Sequence, residues 1–113
     1  MTDCLFCKIV ASILPANIIY QDDTVIAFDD LNPQAPQHKL IVPKQHIATL
    51  NDLPTDSNPV SHMAKVAATL ASQLGISQPG YRFVINCNAG AGQTVFHLHA
   101  HLLGGRHMHW PPG

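Results

Sequence analysis

His97-Leu98-His99-Ala100-His101-Leu102-Leu103 sets an imidazole at every second position and ends in two leucines. In extended chain alternate side chains share a face, so the three rings would line up about 6.8 Å apart from one to the next. Leu98, Ala100 and Leu102 would point the other way, where apolar groups pack into a core. Such a strand carries chemistry on one side and stability on the other. Three alternating imidazoles are demanding, because each buried ring needs a partner for both nitrogens.

Gly90-Ala91-Gly92-Gln93-Thr94 precedes the row immediately. Its glycines permit backbone conformations that other residues resist, and its N–H groups beside the imidazoles would make a cradle for phosphate oxygens. At neutral pH an imidazole is largely uncharged and its lone pair can attack phosphorus. A covalent intermediate on histidine divides phosphoryl or nucleotidyl transfer into two easier displacements, and a neighbouring imidazole can hold phosphate oxygens or protonate the leaving group. Three histidines on one face supply these roles without a metal.

The rest of the chain predicts an α+β fold with a five-stranded antiparallel sheet. Apolar residues at Leu5, Phe6, Ile9, Val10 and Ile13 predict a short helix over Cys4 to Ile13, ended by Pro15. Ile18 to Tyr20 and Val25 to Phe28 read as a hairpin around Gln21-Asp22-Asp23-Thr24. Asn32-Pro33-Gln34-Ala35-Pro36 reads as a rigid loop, and His38 to Pro43 as a third strand with Leu40 and Val42 on one face. Asn51 to Pro59 is a loop with room for one helical turn. Val60, Met63, Val66, Ala67, Leu70 and Leu74 recur at helical spacing before Gly75, which marks the longer helix and its stop. Tyr81 to Cys87 and Phe96 to Leu103 are the last strands, with Cys87 read as a small core residue.

At 113 residues the chain is expected to be a single domain, residues 1–113, with a core that needs no staples. A net charge of -1 without Lys/Arg clusters argues against a nucleic-acid surface. No apolar run approaches the roughly 20 residues of a membrane span, and Met1-Thr2-Asp3-Cys4 lacks the basic start of a secretory signal. Three cysteines, an odd number, fit a reducing compartment. The expectation is a soluble cytoplasmic protein with no membrane and no nucleic-acid partner.

The histidine run resembles the signature of the histidine-triad superfamily of nucleotide hydrolases and transferases. The likeness extends through Phe28-Asp29-Asp30-Leu31-Asn32-Pro33-Gln34-Ala35-Pro36, Val42-Pro43-Lys44-Gln45-His46, Gly92-Gln93-Thr94-Val95 and the segment from Gly104 to Gly113. That last segment is similar to the Hint branch, the purine nucleoside phosphoramidases. The resemblance implies that His99 is the nucleophile that becomes AMP-linked, that His101 binds the α-phosphate, and that His97 and His38 support the network. It implies that Asn86, Gly92, Gln93 and Thr94 surround phosphate and leaving group, and that Asp30 pairs with ribose hydroxyls. Leu5, Phe6, Ile9, Phe28 and Leu31 would hold the purine; periodicity alone reads all five as core. Thr94 stands where relatives often have serine, and Ala91 where glycine is common.

By the same resemblance the substrate is an AMP conjugate, no cofactor is required for catalysis, and the protein is a homodimer whose sheets join. Trp110-Pro111-Pro112-Gly113 is too apolar for an idle tail, and would approach the partner's site, bringing Trp110 to the nucleotide. His107 and His109 are expected at solvent or interface. Cys4-Leu5-Phe6-Cys7 has the spacing of half a zinc site. Relatives that complete it imply His46 and His97 as further ligands for a structural zinc; the alternative is two thiols without metal. Dinucleoside polyphosphate hydrolysis and a nucleotide-binding interaction module are the competing functions.

Overall fold

β1 (Ile18–Gln21), β2 (Val25–Asp29), β3 (Gln37–Pro43), β4 (Tyr81–Val84) and β5 (Ala100–Gly104) form one antiparallel sheet in the order β1-β2-β3-β5-β4 in the computed structural model. It describes residues 3–113; Met1 and Thr2, which open the segment read for a leader, lie outside them. Two helices, α1 (Leu5–Val10) and α2 (Val60–Gln73), cover opposite faces. Among the described residues, no helix is long and apolar enough to cross a membrane.

The alternation rule gives the two faces different contents. Val25, Ala27, Ile41, Ala100 and Leu102 pack with Met63, Val66, Ala67 and Leu70 of α2 in one apolar core. On the other face Ile26, Phe28, Leu40 and Val42 pack with Phe6 and Ile9 of α1. Ladder pairing puts Phe28 opposite Leu40, Leu40 opposite His101 and His101 opposite Val84, so one row across the sheet runs from apolar packing to an imidazole. β5 sits between β3 and β4, which fixes His101 from both sides.

The β1–β2 turn forms because one Asp22 carboxylate oxygen accepts the Thr24 and Val25 N–H groups at 2.8 and 2.9 Å. The expected helical turn in the 51–59 loop lies one residue earlier, a 3₁₀ turn at Leu50–Asp52 closed by a Thr49/Asp52 capping box. α2 ends as expected: Gly75 has φ +74° and donates to Ser72, and the Ile76 N–H reaches back to Ala71.

Three boundaries differ from expectation by more than one residue. α1 stops at Val10, well before Pro15, because Ser12 adopts a left-handed φ of +61° and closes the helix with bonds from Ser12 N–H to Ile9 O and Ile13 N–H to Lys8 O. The histidine strand starts at Ala100 rather than Phe96. The register would bring Leu98 opposite Pro43, which has no N–H for the ladder, and the Leu98 N–H instead donates to Ile47 O at 2.6 Å. β4 consequently ends at Val84, since the chain beside it has left the sheet, and Cys87 is half-buried rather than core.

Candidate active site

Only His101 of the three histidines lies in a strand, so the row is not a regular array. The His99 and His101 rings are 5.1 Å apart and line one cleft, while His97, fully buried, turns toward α1. Phe6 is the wedge between these directions, with ring contacts to His99 at 5.0 Å, His97 at 6.0 Å and Phe28 at 5.6 Å. The cleft is lined by Leu5, Phe6, Ile9, Phe28, Asp30, Leu31, Thr94, His99 and His101 among the expected residues. Pro15, Ala16, Asp29, Leu40 and Val95 join them. Of these additions Leu40 shares a strand face with His38, and Asp29 and Val95 stand in the segments that carry the resemblance; Pro15 and Ala16 had no signal.

Each ring's second nitrogen decides what the first can do. His99 Nδ1–H donates to the His97 carbonyl at 2.7 Å, which leaves the Nε2 lone pair as the reactive edge. The Gln34 N–H, which can only donate, reaches His38 Nδ1 at 3.0 Å. His38 therefore carries its proton on Nε2 and donates to His101 Nδ1 at 2.8 Å, so His101 keeps its own N–H at Nε2. Burial holds His38 and His101 below the ordinary imidazole range; for His101 the charges of His99 and His38 add to it, and its pKa falls to about 4. Both are neutral near pH 7. The face thus offers one lone pair and one N–H, the pair that attack on phosphorus requires.

Asp30 divides its carboxylate: one oxygen accepts the Asn32 N–H at 2.8 Å and the other lies 3.4 Å from His38 Nε2. The glycine loop does not supply the expected cradle at its centre. Ala91, Gly92 and Gln93 N–H groups donate to the carbonyls of Asn88 and Ala89, around a 3₁₀ turn that ends in Gly92 at φ +94°. Ala91 lies outside the left-handed region, so alanine costs nothing there. Gln93 is 3% exposed and its amide is consumed within the protein: it accepts the Asn88 N–H and donates to the Ala48 and Val95 carbonyls. It ties the loop down while Thr94 reaches the cleft.

Asn86, Gly92 and Gln93 do not line the cleft. Leu31 is at the cleft and fully exposed, so it is not the core residue that periodicity reads. Trp110 is 82% exposed and lies over the Arg82 guanidinium at 5.9 Å rather than at this chain's cleft. His107 and His109 are exposed.

A second convergence begins where His97 points away. Cys4 caps the start of α1, with its sulfur accepting the Cys7 N–H, and the helix turn brings both thiols to His97. His97 Nδ1 is 3.3 Å from Cys4 Sγ, 3.5 Å from Cys7 Sγ and 3.2 Å from His46 Nδ1, and Cys7 Sγ is 3.3 Å from His46 Nδ1. Metal–ligand bonds of 2.0–2.3 Å in a tetrahedron give ligand–ligand edges of roughly 3.3–3.8 Å, so the four residues fit a zinc ion. His97 Nε2–H donates to the Pro43 carbonyl at 2.7 Å, which directs the Nδ1 lone pair into the group. Asp30, His38 and His101 form the other metal-capable group among the described residues, but there the ring nitrogens are joined by a hydrogen bond.

The HIT domain profile matches residues 12–108. The purine nucleoside phosphoramidase of Escherichia coli K12 is 48% identical over 103 residues, covering 90% of this chain and 87% of that protein. A HIT family hydrolase structure from Legionella pneumophila Philadelphia 1 superposes with a TM-score of 0.95 at 51% identity, covering 98% of this chain and all of that one. A zinc-bound histidine triad family protein from Mycobacterium smegmatis superposes with a TM-score of 0.81 at 34% identity, over 98% of this chain and 80% of that one. The chain belongs to the HIT family.

Proposed function

We propose that the protein hydrolyses purine nucleoside 5′-phosphoramidates through a nucleotidyl-histidine intermediate. The observation that carries this reading is the tautomer pair in the cleft, a His99 Nε2 lone pair beside a His101 Nε2–H. In the first step His99 Nε2 attacks the α-phosphorus while the P–N bond breaks, and the leaving nitrogen, which takes a proton from solvent, departs as the amine. His101 Nε2–H meets the phosphate oxygens as charge gathers on them. Water then attacks phosphorus and gives up a proton to solvent, the N–P bond breaks with its electron pair returning to His99 Nε2, and AMP leaves. Asp30 would hold ribose, and Leu5, Phe6, Ile9, Phe28 and Leu31 would take the purine, supported by their common cleft.

The name of the Escherichia coli relative supports the substrate class. The zinc-bound relative supports a structural zinc on Cys4, Cys7, His46 and His97, which would brace α1 against the histidine segment and leave His99 unligated. The homodimer is supported by β4, an edge strand of the sheet, and by the exposed indole of Trp110 near it.

The deciding measurement is kcat/KM for an AMP-lysine mimic against diadenosine tri- and tetraphosphate. The phosphoramidate is expected to be the better substrate. A preference for the dinucleotides replaces this reading with polyphosphate hydrolysis, and binding without turnover of either replaces it with a binding module.

A further inference from the structure

Arg106 lies two residues past β5 and far along the chain from the Asn32–Pro36 loop, yet its Nε–H donates to the Gln34 carbonyl at 3.1 Å. Gln34 is therefore held at both of its peptide groups, because its own N–H is the donor to His38 Nδ1. A second guanidinium nitrogen donates to the His107 carbonyl at 3.1 Å, which sets the fork against its own turn. Gly105 makes the approach feasible: it has φ +92°, and a β-carbon there would lie 3.0 Å from Pro36 Cβ. Any side chain would push the loop off the turn that carries Arg106.

We propose that Arg106 is a positioning residue for His101, acting through the Gln34 backbone and His38. The inference rests on the reading of His101 as the imidazole that meets phosphate. The alternative proton arrangement has His101 Nδ1–H donating to His38 Nε2. It would put the His38 proton on Nδ1, facing the Gln34 N–H, two donors about 3 Å apart with nothing to accept them. While Gln34 stays in place that arrangement is excluded, and His101 always shows N–H to the cleft. Once the loop drifts, His101 can present a lone pair instead, which repels phosphate oxygens.

The test combines kinetics with the protonation pattern of the rings. Full-length protein carrying ¹⁵N-histidine, as wild type, Arg106→Ala and Arg106→Lys, is studied at pH 7 by long-range ¹H–¹⁵N correlation. Turnover of an AMP phosphoramidate is measured in parallel. The wild type should show His38 and His101 as single Nε2–H tautomers. In Arg106→Ala the ring nitrogens of both should move toward averaged values, and kcat should fall about tenfold with a smaller change in KM. Arg106→Lys, whose ammonium can donate to the same carbonyl, should recover about half of the lost activity or more.

Unchanged ring nitrogens in Arg106→Ala overturn the proposal, whatever happens to turnover. So does an equal loss in the alanine and lysine variants. If Arg106→Ala does not fold, Arg106→Met keeps the aliphatic stem without the donor and serves the same comparison. The spectra need no substrate, so a wild type that fails to cleave phosphoramidates refutes the proposed function while the ring signals still decide the role of Arg106.

Discussion

Two histidine clusters meet across one residue, Leu98, and differ in what surrounds the rings. On the His97 side two sulfurs and two imidazole nitrogens converge within 4.8 Å of one another, under α1. On the His99 side the rings of His99 and His101 open onto a cleft, with His38 behind them. The difference is imposed from behind each ring: the Pro43 carbonyl leaves His97 an inward lone pair, the His97 carbonyl leaves His99 an outward one, and His38 leaves His101 an N–H. Identical side chains thus present three different edges, set by backbone and neighbour.

The sharpest way to break this contrast is to remove His99, the proposed nucleophile. His99→Ala should lower phosphoramidate turnover by at least about a thousandfold, because no neighbouring ring presents its lone pair from the same place. Its melting temperature should stay within a few degrees of wild type. Activity within a few-fold of wild type in a steady-state amine-release assay would remove His99 from the role.

Gln93 connects the two clusters, since it joins the loop before the cleft to Ala48, two residues from His46. Gln93→Ala would leave the Asn88 N–H and the Ala48 and Val95 carbonyls without this partner, and should destabilise by about 2–4 kcal/mol in urea unfolding while raising KM more than it lowers kcat. A loss confined to kcat would mean that Gln93 meets the reacting group instead.

The His97 side should answer to metal removal in stability more than in chemistry. Zinc is expected at one ion per chain in protein purified without chelator. Cys4→Ser should abolish it and lower the melting temperature by about 5–10 °C, with kcat changed less than tenfold. A wild type without bound zinc at neutral pH sinks the assignment, and a kcat loss as large as that of His99→Ala would erase the distinction between the clusters.

What the sequence made legible follows the same division. The α2 stripe and the Leu40/Val42 face are statements about side chains repeating with a period, and they appear in the core as expected. The Cys4/Cys7/His46/His97 set came from a resemblance, and folding brings those four together. The departures all sit where backbone decides. No glycine announces the left-handed Ser12 that ends α1, and only ladder register shows that Pro43 would face Leu98 and release the chain from the sheet. The carbonyls of Pro43 and His97 that assign the tautomers carry no sequence signature. Gln93 has the composition of a ligand contact and is spent on three backbone groups that only the folded loop brings near it.

The smallest predicted effect separates the open cluster from the closed one by proton linkage. Folded His101 has its pKa depressed to about 4, first by burial and then by the neighbouring His99 and His38, whereas the unfolded residue titrates near 6.5. Between those values the unfolded chain binds a proton that the folded protein refuses, so stability falls as pH drops through that window and levels off below it. Above the unfolded pKa both states are neutral and the contribution is flat. His101→Asn has no such group, and thermal melts from pH 7.5 to 4.5 should show the wild type losing a few degrees more than the variant. Any loss of metal from the Cys4/Cys7/His46/His97 group on acidification is common to both proteins and cancels in the comparison. Parallel melting curves over the whole range would mean that His101 is not held neutral by its surroundings.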